Sequence, residues 1–145
     1  MIKIFGKTKH IHFIGIGGIG MSGMAEFLFN HNFKISGSDI NNSEKVEELK
    51  TKGINIQIGH SEKNENIKIA DLIVYSSAVN QNNKEIAEAR AHNIPIIKRA
   101  ELLGELIKIK SISIAISGTH GKTTTSSMLG NILIEAKLDP ALIIG

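Results

Sequence analysis

The residues with the clearest chemistry are Gly118-Thr119-His120-Gly121-Lys122-Thr123-Thr124, set between the apolar run Ile112 to Ile116 and a helical pattern that starts at Thr123. A glycine-rich loop in that position turns successive backbone N–H groups toward one concave point and makes an anion site. Lys122 can reach the outer phosphates of a nucleoside triphosphate, and the Thr123 hydroxyl can bind magnesium. The general phosphate-loop pattern has its first glycine five residues before Gly121, where Ile116 stands; here the glycine comes at Gly118, so the loop is a shortened variant. A second signal lies upstream, in Gly15-x-Gly17-x-x-Gly20, after one apolar run and at the opening of a helix. Two of these glycines permit a tight turn and close backbone approach, the third permits tight helix-to-strand packing, and the helix N-terminus offers N–H groups to a diphosphate. A side chain at Gly17 would occupy the space that the diphosphate needs. Asp39 follows Gly20 by nineteen residues, where a carboxylate can accept from ribose hydroxyls, although the same aspartate can cap a turn. Two phosphate-binding loops in one chain imply two nucleotides, one held as substrate and one spent as energy source.

Other polar residues close strands in the same way. His60 follows Gly59, Ser76-Ser77 ends another apolar run, and Arg99, one of two arginines, follows a third. Open α/β sheets bind ligands at the carboxyl ends of their strands, so these residues and Asp39 line a crevice there. The guanidinium of Arg99 suits a phosphate or carboxylate in fork geometry. His10, His12, His31 and His92 have no partner at metal-ligand spacing and read as surface or structural residues.

The elements that must carry these residues alternate along the chain. Residues 11–16 form a short buried strand; Met21, Met24, Ala25 and Leu28 give a helix one apolar face, ending near residues 30–32; Phe33 to Ser38 is strand again. Asn41 with Glu44 resembles a capping box for a helix that buries Val46 and Leu49 and stops at Gly53, and Ile54, Ile56 and Ile58 alternate as a third strand. Asp71 to Ser76 is a strand, Asn83 to His92 a helix, Ile94 to Ile97 a strand, and Leu102, Leu103, Leu106 and Ile107 a helical face. Such alternation implies crossover units and a Rossmann-like, doubly wound parallel sheet over residues 1–107. Residues 108–145 open a second unit: strand Ile112 to Ile116, the phosphate loop, a helix from Thr123 to about Lys137 and a strand Ala141 to Ile144. Two strands and one helix are too few for a stable parallel sheet, which makes this segment the opening of a domain whose remainder is absent and the chain an amino-terminal fragment, catalytically silent by itself.

Composition narrows the function classes. The chain has 145 residues, 41% hydrophobic and 21% charged, as expected for an ordinary folded domain. Lys3, Lys7 and Lys9 account for the whole charge excess of +3, and five Phe, one Tyr and no Trp give neither a basic stripe nor an aromatic platform, so nucleic acid is not an expected partner. Four glycines interrupt the apolar run after those lysines, which disfavours a signal peptide, and no run reaches the ~18 apolar residues of a membrane span. With no cysteine, thiolate zinc sites, disulfides and Cys nucleophiles are excluded, compatible with a reducing compartment.

Gly15-Ile-Gly-Gly-Ile-Gly-Met-Ser-Gly23, Ser36-Gly37-Ser38-Asp39, Gly59-His60, Tyr75-Ser76-Ser77-Ala78, Lys98-Arg99-Ala100-Glu101 and Gly118-Thr-His-Gly-Lys-Thr-Thr-Thr125 together resemble the Mur ligases, from Ile11 onward. The shortened phosphate loop is the form that resemblance leads one to expect. It implies a cytoplasmic, three-domain enzyme of peptidoglycan precursor synthesis that joins L-alanine to UDP-N-acetylmuramate, using ATP and Mg2+, through an acyl phosphate. By position, Gly17, Gly18, Ile19, Gly20, Met21, Ser22 and Gly23 would hold the diphosphate of the sugar nucleotide. Asp39, His60, Ser76 and Ser77 would line its uridine and phosphate end, and Arg99 would lie near the sugar nucleotide. Gly118 to Thr124 would hold ATP, with Lys122 and Thr123 as catalytic residues and Thr123 on the metal. A dehydrogenase would share the first loop but has no use for the second; a phosphate-loop kinase would share only the second.

Overall fold

The structure is a computed structural model that describes residues 5–61 and 63–145. Lys3, part of the basic start of the chain, lies outside the described residues. In chain order the elements are β1 (His10–Ile14), α1 (Ile19–Asn30), β2 (Lys34–Asp39), α2 (Glu44–Thr51), β3 (Asn55–Ile58), α3 (Glu65–Lys68), β4 (Leu72–Tyr75), α4 (Lys84–Ala91), β5 (Ile96–Lys98), α5 (Arg99–Leu106) and α6 (Lys122–Glu135). All five strands are parallel, in the order β3-β2-β1-β4-β5. That is the strand order of a doubly wound, Rossmann-like sheet, with its topological switch between β1 and β4.

Strand alternation splits the core in two. Ile11 and Phe13 face α1, α2 and α5 in a cluster with Met24, Leu28, Leu49 and Leu102. On the other face Ile14 joins Ile67, Ile73, Ile86 and Ala89 beneath α3 and α4. Each such side chain, fully buried, contributes about 1.5–3 kcal/mol relative to leaving it in water. Gly37 in β2 has a packing reason: a β-carbon there would come within 2.6 Å of Ile16 Cδ1, so glycine lets the fully buried Ile16 lie directly on the strand. Ile16 anchors the loop that follows β1.

Three sequence expectations change. Ser43, not Asn41, caps α2, its hydroxyl accepting from Val46 N–H. The short helix α3, capped by Asn64, has fewer residues than two turns and so shows no periodicity in sequence. Residues 112–116 and 141–144 form no strand. A strand exists by its ladder partners, and neither segment finds one among the described residues; Ile112 and Ile114 are 82% and 60% exposed. A cavity of about 530 Å³ remains between these segments and the α5 residues Leu103 and Leu106.

Candidate functional site

The loop after β1 is held by backbone bonds to β2. Gly15, at φ +79°, donates its N–H to Ser38 O at 2.8 Å. Asp39 Oδ2 accepts from Gly17 N–H at 2.8 Å, and its Oδ1 accepts from Asn41 N–H at 3.1 Å. Asp39 therefore shapes the loop itself and uses one of the N–H donors that the sequence assigns to a diphosphate. The space beside Gly17 differs from expectation as well. A β-carbon there would meet Val46 Cγ2 at 2.8 Å and Asp39 Oδ2 at 2.9 Å, so glycine is required by protein packing before any ligand is considered.

Helix α1 then starts at Gly18 with no side-chain cap and no acid in its first turn; the Asp39 carboxylate on the Gly17 N–H, just ahead of the helix, offsets only part of the positive end of its dipole. Gly18 and Ile19 are exposed, Gly23 has open space beside it, Met21 is buried in the core, and the Ser22 hydroxyl turns back to Ile19 O. Met21 and Ser22 thus have only their backbone to offer a ligand. The guanidinium of Arg99, first residue of α5, lies against Gly20: a β-carbon on Gly20 would sit 2.2 Å from Arg99 Nη1. A guanidinium at the positive end of a helix, with no acid in the helix's first turn, makes a site for an anion. Ser76, at the end of β4, stands beside Gly15 at the switch point, with its hydroxyl accepting from Ala78 N–H; Ser77 is exposed.

The second loop faces the same region. Gly121, at φ +76°, precedes α6 in a conformation that only glycine adopts cheaply, and Lys122 Nζ donates to Gly118 O at 2.7 Å. Thr119, His120, Thr123 and Thr124 are exposed. Lys122, Thr123 and Arg99 line one cleft of about 120 Å³, with Gly145 packed against Gly20 and Arg99. The structure therefore brings together Gly17 to Gly20, Asp39, Arg99, Lys122 and Thr123. His60 is joined to them only through its neighbour Gly59, whose N–H donates to Asp39 O at 2.7 Å, while its ring turns to other partners. Among the described residues there is no group of three or more His, Cys, Asp or Glu that could hold a metal ion; the exposed Thr123 hydroxyl is a single oxygen donor at the head of α6.

His60 belongs to a polar network under α3 and α4 that sequence reasoning missed. Glu85, in the first turn of α4, is fully buried; its Oε2 accepts from Ser38 Oγ at 2.5 Å and lies 2.7 Å from His60 Nδ1, and its Oε1 accepts from Asn64 Nδ2 at 2.8 Å. His12 Nε2, buried without a hydrogen-bond partner, faces Glu85 Oε1 at 3.7 Å. His12 Nδ1 and His10 Nε2 each lie 2.8 Å from Ser36 Oγ, and His10 Nδ1 is 3.1 Å from Ile69 O. The one sequence signal was the pair of two-residue spacings, His10 with His12 and Ser36 with Ser38, which puts four polar side chains on one face of neighbouring strands.

Burial alone would raise the Glu85 carboxyl, but His12, Ser38 and Asn64 outweigh it and hold it below its ordinary 4.5. Asp71, accepting from the His10 and Lys9 N–H groups, is held below 3.8, and burial pushes His10 below 6.5. All three have folded-state values below their unfolded ones, so acid favours the unfolded chain in each case. The stability tied to His10 is complete above 6.5 and drains as pH falls toward its lowered value. That tied to Glu85 and Asp71 is present above 4.5 and 3.8 and is lost as pH falls through their lowered values. Urea midpoints are expected to fall from about pH 7 to about pH 5, and more steeply below about pH 4.5. A midpoint constant over that range would contradict it.

The description of the Mur ligase family's catalytic domain matches residues 10–111, most of the chain and all of its sheet. The chain belongs to the Mur ligase family. It is 58% identical over 139 residues to the UDP-N-acetylmuramate--L-alanine ligase of Clostridium botulinum strain Kyoto, an alignment covering 96% of this chain and 30% of that protein. The crystal structure of the Thermotoga maritima UDP-N-acetylmuramate-alanine ligase matches this Mur ligase chain with a TM-score of 0.83 at 36% identity, covering 88% of it and 30% of the neighbour. A UDP-N-acetylmuramate:L-alanyl-gamma-D-glutamyl-meso-diaminopimelate ligase from Neisseria meningitides matches with a TM-score of 0.82 at 31% identity, covering 92% and 41%. This Mur ligase chain thus spans about 30% of the length of the curated relatives it matches. Among its described residues no helix is long and apolar enough to cross a membrane.

Proposed function

We propose that this chain supplies the sugar-nucleotide domain, residues 1–107, and, in residues 108–145, the ATP phosphate loop of a UDP-N-acetylmuramate–L-alanine ligase. The observation that carries the reading is the Arg99 guanidinium, which lies against Gly20 in the first turn of α1 and lines one cleft with Lys122 and Thr123. A nucleotide diphosphate held at Gly18 to Gly20 and a triphosphate held at Gly118 to Thr124 would place their anionic ends on the two sides of that cleft. The 58% identical Clostridium protein carries the alanine ligase name, which favours this reading over the L-alanyl-gamma-D-glutamyl-meso-diaminopimelate ligase that matches at 31% identity.

Joining a carboxylate to an amine is uphill until the carboxylate is activated. In this reading ATP phosphorylates the lactyl carboxylate of the sugar nucleotide, and the amine of L-alanine attacks the resulting acyl phosphate. Backbone N–H groups of Gly118 to Gly121 cradle phosphate oxygens, Lys122 spreads the charge of the phosphoryl group in transfer, and Arg99 holds the acceptor side. The exposed Thr123 hydroxyl fits a magnesium ligand at the head of α6; Mg2+, when bound, neutralises phosphate charge there. Asp39 acts by fixing Gly17 and the turn. In this reading the partners are small molecules, the UDP-N-acetylmuramate and L-alanine that the relative's name prints, and the chemistry takes place in the cytoplasm.

Calorimetry on this chain with UDP-N-acetylmuramate, NAD and Mg-ATP tests the proposal. Weak binding of the sugar nucleotide, none of NAD and no ATP hydrolysis are expected, the last because residues 112–116 and 141–144 build no sheet beneath the phosphate loop. NAD bound in preference to the sugar nucleotide would overturn it. So would magnesium-dependent ATP hydrolysis abolished by Lys122→Ala, for the claim of silence.

A further inference from the structure

His60 is one of the residues the sequence assigns to the nucleotide, yet its ring is tied to the buried network and not to the glycine loop. The proton positions in that network follow from what each group can donate. Asn64 Oδ1 accepts from Asn66 N–H at 3.2 Å, so Asn64 Nδ2 is the amide end that donates to Glu85 Oε1. Ser38 has one hydroxyl proton, which goes to Glu85 Oε2. Both groups near His60 Nδ1, Glu85 Oε2 at 2.7 Å and Ser38 Oγ at 3.1 Å, are then left only as acceptors. Nδ1 must carry the proton, and in the neutral ring Nε2 keeps a lone pair. The His60 side chain is 18% exposed while Glu85 is wholly buried, so the ring links the interior to the carboxyl edge of the sheet. Nε2 has no partner among the described residues.

We propose that Glu85 is a positioning residue that presents His60 Nε2 at the sheet edge as a hydrogen-bond acceptor, specific for an N–H or O–H of the nucleoside part of the ligand and not for its phosphates. The inference rests on the sugar-nucleotide reading for its ligand, but not for its tautomer. An acceptor nitrogen repels phosphate oxygens and suits a pyrimidine ring N–H or a ribose hydroxyl. Arg99 and the start of α1, which offer only donors, take the diphosphate.

Glu85→Gln separates this from a structural role. Asn64 Nδ2 keeps the new carbonyl oxygen on its side, which turns the new NH2 toward Ser38 and His60; Nδ1 becomes the acceptor and the ring proton moves to Nε2. Imidazole 15N spectra of the free chain at alkaline pH should show His60 as the Nδ1–H tautomer in the parent and the Nε2–H tautomer in Glu85→Gln, with Glu85→Asp retaining the parental form. UDP affinity should fall about tenfold in Glu85→Gln, the loss of one hydrogen bond, while inorganic pyrophosphate binds equally to both. An Nε2–H tautomer in the parent, or the same tautomer in both proteins, overturns the positioning role. The predicted tautomers with unchanged UDP affinity, or with equal losses for UDP and pyrophosphate, overturn the nucleoside specificity. A parent chain that binds no UDP overturns that specificity through the sugar-nucleotide reading, and the 15N spectra still decide the role of Glu85.

Discussion

Glu85→Leu is expected to destabilise the chain by about 3–5 kcal/mol, the range for removing one member of a buried charged cluster. The leucine fills a similar volume, so the cost comes from the groups left behind. Ser38, Asn64 and His60 lose the acceptor they share, and His12 Nε2, already without a hydrogen bond, loses the carboxylate it faces. Ser38, Asn64 and His12 cannot turn to water, because they are at most 1% exposed; only His60, at 18%, reaches it. The melting temperature should fall on the order of 10 °C. Glu85→Gln keeps most of these contacts and should cost only about 1–2 kcal/mol, so it folds where the leucine variant is marginal. Equal melting temperatures for Glu85→Leu and the parent would show that the network contributes nothing to stability.

Gly17→Val should lower UDP-N-acetylmuramate affinity at least tenfold and stability by about 1–3 kcal/mol together. Its β-carbon alone would press on Val46 Cγ2 and Asp39 Oδ2, and Ser43 Oγ stands 3.2 Å away. Val46 is fully buried and cannot retreat, so the loop must move and Asp39 must release the Gly17 N–H. The start of α1 moves with it. Calorimetry and thermal unfolding on the same protein read both effects. A variant with parental melting temperature but lost affinity would restore the simpler view, in which Gly17 only leaves room for phosphate.

Much of the architecture was legible because its signals are local. The apolar residues Met21, Met24, Ala25 and Leu28 repeat at helical spacing and are all buried against the sheet as that spacing requires. Both glycine-rich loops lead into a helix, the first directly from the buried strand β1, and Gly15 and Gly121 take the left-handed conformations their residue type allows. The handedness of short parallel crossovers narrows the possible strand orders, and the pairing of the strands selects β3-β2-β1-β4-β5 among them. The strands expected at residues 112–116 and 141–144 failed for the opposite reason. Apolar alternation marks a segment that can be a strand, but ladder bonds come from neighbours, and no local pattern supplies them.

The site shows the same division more sharply. Residue types and spacing alone determined that two glycine-rich turns occur, that Lys122 and Thr123 follow one and Asp39 the other, and that Arg99 follows a strand: all properties of short stretches of chain. Only the tertiary structure decided what those residues face. Asp39 turned to the Gly17 N–H, Arg99 came to rest on Gly20 beside Lys122, and His60 was drawn to Glu85, twenty-five positions away. Nothing near Glu85 in the chain marks it as buried, since a helix-start glutamate is ordinarily solvated. Its burial follows from α4 crossing the sheet where Ser38, His12 and His60 converge, and convergence of side chains from separate elements is a property of packing in three dimensions.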